Sequence, residues 1–107
     1  MEPDCIFCKI VKKEMPSAFL FENDNLVVFR DINPHAPVHI LIVPKRHIRS
    51  VNDLTEEDAK IVSEMMMTAK MIAEKESVSK SGYKLLFNVE KGGGQVIFHL
   101  HLHLIGG

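Results

Sequence analysis

The chain has 107 residues, 46% hydrophobic and 25% charged, with a formal net charge of -1. That length suits one domain, expected to span residues 1–107, and the near-neutral balance argues against a nucleic-acid or anionic-membrane binder, both of which favour basic patches. The start "MEPDCIFCKIV" is acidic and lacks a long apolar run, so it does not read as a signal peptide. No apolar stretch approaches the about 20 residues of a membrane span. Two cysteines, Cys5 and Cys8, without a secretory signal point to a reducing compartment, so a cytoplasmic protein is expected.

In chain order, "PDCIFCKIVKKE" suits a short helix after Pro3-Asp4, with Ile6, Phe7 and Ile10 as its apolar side. "AFLFENDNLVVFRD" reads as two strands about the turn signal Asn23-Asp24-Asn25. "NPHAP" is a loop, since Pro34 and Pro37 fix φ and donate no backbone hydrogen bond. "VHILIVP" is a β-branched strand closed by Pro44. The clearest helix is "DLTEEDAKIVSEMMMTAKMIAEK", with Thr55 as N-cap and Asp58 completing a near capping box. Ile61, Val62, Met65, Met66, Ala69, Ile72 and Ala73 form its apolar stripe. After Gly82, "YKLLFNV" and "VIFHLHLHLI" read as strands joined by the loop "EKGGGQ". Strands, one long helix, then strands predict an α+β fold with an antiparallel sheet.

The closing "FHLHLHLIGG" places His99, His101 and His103 at alternate positions. In a strand, residues two apart share a face roughly 6.6–7 Å apart. The three imidazoles then line one face, while Phe98, Leu100, Leu102 and Leu104 pack on the helix. A wet strand face is served equally well by Lys, Thr or Glu, so three histidines in strict alternation point to chemistry. Imidazole binds metals and acts as nucleophile, acid or base near neutral pH. The adjacent "GGGQ" lets backbone amides approach an anion closely, which favours phosphorus chemistry.

"HLHLHLI" fits the histidine-triad pattern, and "GGGQVIFHLHLHL", "IFCKIVKKEMP" and "FRDINPHAPVHILIVPKRHI" occur in the expected order. Over nearly its whole length the chain resembles the Hint branch of the histidine triad (HIT) superfamily. The resemblance implies a HIT fold, with a five-stranded antiparallel sheet, one long and one short helix, and sheets joined across a homodimer. It implies a purine nucleotide-binding hydrolase that cleaves nucleoside phosphoramidates, AMP or GMP joined to an amine, without an organic cofactor. His101 matches the nucleophile that becomes nucleotidylated. His103 and His39 match positions that hold and tune the phosphate site, and Gly94, Gln95 and Val96 match the anion loop. Asp31 matches a ribose-hydroxyl acceptor, and Asn88 a polar contact near sugar and phosphate. Phe7, Ile10, Phe29 and Ile32 match the base pocket, with Met15 a weaker match. A dinucleoside polyphosphate hydrolase, or a non-catalytic nucleotide-binding scaffold, is the alternative.

Two features depart from that pattern. Val96 stands where many relatives carry a hydroxyl residue near the leaving group, and the sequence stops at Gly107 where many continue into an aromatic, proline-containing tail. Both leave leaving-group preference open. Cys5 and Cys8 alone supply half of a closed zinc site. Microbial HIT proteins and the related uridylyltransferases complete such a site with two histidines, which here match His47 and His99. A structural zinc on Cys5, Cys8, His47 and His99 is therefore expected. His35 matches no functional position and is expected at the surface.

Overall fold

The computed structural model describes residues 4–107; Pro3, part of the helix-start signal, lies outside them. The elements are α1 (Ile6–Val11), β1 (Phe19–Glu22), β2 (Leu26–Arg30), β3 (Val38–Pro44), α2 (Ala59–Lys75), β4 (Tyr83–Leu86) and β5 (Leu102–Gly106). The strands form one antiparallel sheet in the order β1-β2-β3-β5-β4.

Alternation along the central strands sorts their side chains into two clusters. Leu26 and Val28 of β2, Ile40 and Ile42 of β3, and Leu102 and Leu104 of β5 join Met65, Ala69, Ile72 and Ala73 of α2. On the other face Val27, Phe29, Leu41 and Val43 pack with Phe7 of α1. β2 and β3 are thus buried on both faces, so they read as near-continuous apolar runs. Leu100, Leu102 and Leu104 are at most 2% exposed, and burying each contributes about 1.5–3 kcal/mol.

Helix α2 begins later than the acidic run suggests. Glu56–Asp58 form a 3₁₀ turn first, and the Asp58 carboxylate reaches back to accept the Thr55 amide at 2.8 Å. Arg46 pairs with the same carboxylate. Met66, placed in the apolar stripe by spacing, is 41% exposed, and Thr68 takes a buried position instead. The stripe as read is too wide for the one sheet face it covers.

The last strand is also shorter than its alternating pattern. Its pairing with β3 starts at Leu102 opposite Ile42, and residues 97–99 form a bend. His99 and His101 therefore precede the ladder. Phe98 leaves the helix-packed face and lies under the Arg49 guanidinium, 4.3 Å from carbon to ring centroid. β4 likewise ends at Leu86, short of Phe87, Asn88 and Val89.

Candidate active site

The strands carry the functional side chains on the sheet face opposite α2. His39 and Leu41 share that face of β3, and Leu41 lies opposite His103 in β5. Asp31 follows β2, its amide extending the ladder to the His39 carbonyl at 3.0 Å. Helix α1 then covers the face, with Phe7 packing edge-on to Phe29 at 5.5 Å, to His101 at 5.1 Å and to His99 at 5.8 Å.

Backbone groups set the proton on each ring. The amide of His35 donates to Nδ1 of His39 at 3.0 Å, so a neutral His39 carries its hydrogen on Nε2. That nitrogen donates to Nδ1 of His103 at 2.9 Å and also lies 3.5 Å from the Asp31 carboxylate. His103 then bears its hydrogen on Nε2; the Asn88 atom 3.4 Å away is the amide nitrogen, a donor, so Asn88 accepts that hydrogen only with its amide turned to present the oxygen. His101 donates from Nδ1 to its neighbour's carbonyl, that of His99, at 2.7 Å. Its Nε2 keeps an unprotonated lone pair, the form a nitrogen nucleophile needs.

Burial keeps these rings neutral. It pushes His103 down to about 4, helped by the nearby His101 and His39. The same cause lowers His101 and His39, against a smaller opposing pull from the Asp31 carboxylate.

A second cluster adjoins the first. Nδ1 of His99 lies 3.3 Å from Sγ of Cys5 and 3.6 Å from Sγ of Cys8. Nδ1 of His47 lies 3.3 Å from Sγ of Cys8, and all four donor atoms fall within 4.8 Å of one another. Nε2 of His99 donates to the Pro44 carbonyl at 2.8 Å, which turns the Nδ1 lone pair toward the sulfurs. Burial brings this ring to about 4, leaving it neutral as a ligand must be. Two thiols and two imidazoles in this arrangement fit a tetrahedral zinc site.

The glycine loop departs from the expected anion cradle. The amides of Gly93, Gly94 and Gln95 all bond within the turn, to Glu90 and Lys91 carbonyls at 3.0–3.1 Å. The Gln95 side chain is 5% exposed. It accepts the Glu90 amide at 2.8 Å and donates to the Arg49 and Ile97 carbonyls at 2.8 and 3.0 Å. Its amide is fully engaged in holding the loop, so Gln95 shapes the site without presenting a free donor to it. Gly94 sits at φ 86, where a side chain is strained.

Of the base-pocket residues, Phe7 and Phe29 are buried and Ile10 is half-buried, whereas Ile32 is 88% exposed beside Asp31. Met15 is 37% exposed and Val96 is 85% exposed. A cavity of about 530 Å³ runs past Val96, Ile97 and Phe98 to His47 and Cys5. Sequence reading missed the groups that orient the rings. His35 is exposed as expected, yet its amide sets the His39 tautomer, and the Pro44 carbonyl does the same for His99. Backbone donors and acceptors leave no trace in residue identity. The clamp in which Glu90 accepts from Arg49 at 3.0 and 3.2 Å and from Ser50 at 2.9 Å was missed as well.

Residues 4–107 match the family described as scavenger mRNA decapping enzyme, C-term binding. Over 107 residues the chain is 42% identical to the purine nucleoside phosphoramidase of Escherichia coli (strain K12), spanning all of this chain and 90% of that protein. The chain belongs to the histidine triad family. A HIT family hydrolase from Legionella pneumophila Philadelphia 1 superposes with a TM-score of 0.95 at 47% identity, covering 97% of this chain and 93% of that one. A histidine triad protein from Clostridium difficile gives a TM-score of 0.96 at 39% identity, over 100% of this chain and 93% of that one. The HIT fold expected from the motif order is the fold observed, and these relatives support hydrolase activity.

Proposed function

We propose that the chain hydrolyses purine nucleoside phosphoramidates through a nucleotidyl group carried on Nε2 of His101. The observation that carries this reading is the hydrogen bond from His101 Nδ1 to the His99 carbonyl at 2.7 Å, which leaves the other ring nitrogen as a free nucleophile. The 42% identity to a phosphoramidase over the full 107 residues favours the same substrate class.

In this mechanism the base lies against Phe7, Phe29 and Ile10, with Ile32 closing from the surface. Asp31 accepts from the ribose hydroxyls and Asn88 meets the sugar and phosphate. The anionic phosphate, once seated beside His103, raises that ring's proton affinity, and the ring takes up one proton from solvent as the substrate binds. Nε2 of His101 attacks the α-phosphorus as the P–N bond breaks, and the departing nitrogen takes the proton from His103. His103, neutral again, receives a proton from the water that attacks the nucleotidyl-histidine. Water releases the monophosphate and restores His101. The His99 carbonyl stabilises the positive charge on the substituted ring while it lasts.

Cys5, Cys8, His47 and His99 are assigned a structural zinc, which supplies a cross-link between α1, the segment after β3 and the approach to β5. A homodimer through β4 completes the proposal. β4 is an edge strand whose Leu85 and Leu86 are half-buried, and Met67 of α2 is 62% exposed. Sedimentation at micromolar concentration tests the dimer, and elemental analysis with the cysteines reduced tests the zinc.

Incubation with an adenosine phosphoramidate and, separately, with a diadenosine polyphosphate tests the substrate class. Faster release of AMP from the phosphoramidate is expected. Faster turnover of the polyphosphate transfers the same histidines to the alternative reaction, and no turnover of either leaves a binding protein.

A further inference from the structure

One residue belongs to both clusters. The His99 side chain completes the Cys5, Cys8 and His47 set, while its backbone carbonyl holds Nδ1 of His101. The sheet does not hold that carbonyl, because ladder pairing begins at Leu102. The end of β3 and the connection after it hold it instead. The Pro44 carbonyl takes the His99 ring at 2.8 Å, and the Ile48 carbonyl takes the Leu100 amide at 2.6 Å. The same connection carries His47, whose ring stands 4.9 Å from that of His99 and perpendicular to it, at 87°.

We infer that His99 is a positioning residue: ligation of its Nδ1 within the four-donor cluster fixes its carbonyl, and thereby the tautomer and aim of the nucleophile His101. The inference rests on the zinc reading above. A neutral imidazole exchanges between two tautomers. With Nδ1 ligated, the hydrogen of His99 can sit only on Nε2, where the Pro44 carbonyl accepts it. Without a ligated Nδ1, a hydrogen there is satisfied by either sulfur. Nε2 then turns a lone pair toward the Pro44 carbonyl, a repulsive contact that ring rotation relieves. His99 is 0% exposed, and a ring in a close-packed interior does not rotate without shifting its own backbone. The atom that shifts is the acceptor of the His101 hydrogen. Metal ligands are commonly oriented by outer hydrogen bonds; here the influence also runs the other way, from ligand to nucleophile.

Cys5→Ser isolates the effect. Cys5 is the N-cap of α1, its sulfur accepting the Cys8 amide at 3.3 Å, and serine is among the preferred N-caps. The variant keeps the helix and loses a thiolate ligand. The experiment compares zinc-loaded protein, chelator-stripped protein and Cys5→Ser. Zinc content, the amide NMR fingerprint, the ring ¹⁵N shifts of His101 and the steady-state constants are read for each. We expect a single Nδ1–H tautomer on His101 in the loaded protein. Mixed tautomers are expected in the other two, with kcat lower by about tenfold or more and KM little changed. Zinc added back should restore the stripped protein and leave Cys5→Ser unchanged. Bound zinc with identical His101 shifts and kcat in loaded and stripped protein overturns the positioning role and leaves the zinc reading standing. Absence of zinc from reduced wild type overturns both. Should stripping unfold the protein, the folded Cys5→Ser variant decides alone: a loaded-type His101 signal in it overturns the inference.

Discussion

The rings of His39 and His103 meet at 2.9 Å, nitrogen to nitrogen, across neighbouring strands, and the His35 amide behind His39 dictates which of the two donates. In the proposed proton path His39 holds Nδ1 of His103, which leaves Nε2 of His103, beside Asn88, to act on the substrate. Outer partners that orient a functional ring are typically worth about 10–100-fold. His39→Ala should lower kcat by about that factor with a smaller change in KM, as measured by steady-state hydrolysis of a phosphoramidate. An unchanged kcat removes His39 from the proton path.

The buried rings also couple stability to pH. His103 in the folded chain takes up a proton only near pH 4, whereas an imidazole in the unfolded chain does so near 6.5. Between those values the unfolded state binds more protons, so stability is fully present above about pH 6.5 and falls as pH drops toward 4. The contribution of His103 is on the order of 3 kcal/mol. Urea midpoints at pH 7 and pH 5 should differ more for wild type than for His103→Asn. Equal differences contradict the assignment.

Gly94 lies at φ 86 with only the Asn88 side chain 4.0 Å from where a Cβ would stand, and Gly92 has nothing within 4 Å and no left-handed angle. The strain at Gly94 is conformational, so Gly94→Ala should cost about 1–2 kcal/mol. Gly92→Ala should be near neutral. Denaturant unfolding of the pair checks this, and equal effects rule out the backbone explanation.

Much of the architecture was readable from the residues. The 38–44 strand, read as a β-branched apolar run, the strand within the 83–89 run and the long helix were legible, and Leu100, Leu102 and Leu104 pack on the helix side as alternation predicts. The pattern failed at Phe98, His99 and His101. Strict alternation describes side-chain order, but ladder pairing needs a partner, and β3 ends at Pro44, which pairs with Leu26 on the other side. The metal cluster came from the family resemblance, since Cys5 and Cys8 alone left their role open. Gln95 shows a different limit. Residue type marks it as an anion contact, and only three-dimensional placement reveals that its amide is already occupied by Glu90, Arg49 and Ile97.

Val96 is 85% exposed, next to Gln95 and on the wall of the cavity that reaches His47 and Cys5. A hydroxyl there adds one donor near the leaving group, worth about 0.5–1.5 kcal/mol for a typical hydrogen bond. Val96→Ser should therefore raise kcat for phosphoramidates by roughly 2- to 10-fold. A series of amine leaving groups assayed on both proteins tests it, and no change for any amine shows that this position does not reach the leaving group.

The central claim is that Nε2 of His101 carries the nucleotidyl group. Acid-sensitive intermediates survive a brief alkaline quench, so wild type mixed with an adenosine phosphoramidate and quenched during turnover can be weighed intact and mapped by fragmentation. The account predicts a chain heavier by one adenylyl group, located on His101 and absent from His101→Ala, which also loses turnover. An unmodified chain during full turnover, or AMP release by His101→Ala at the wild-type rate, contradicts it.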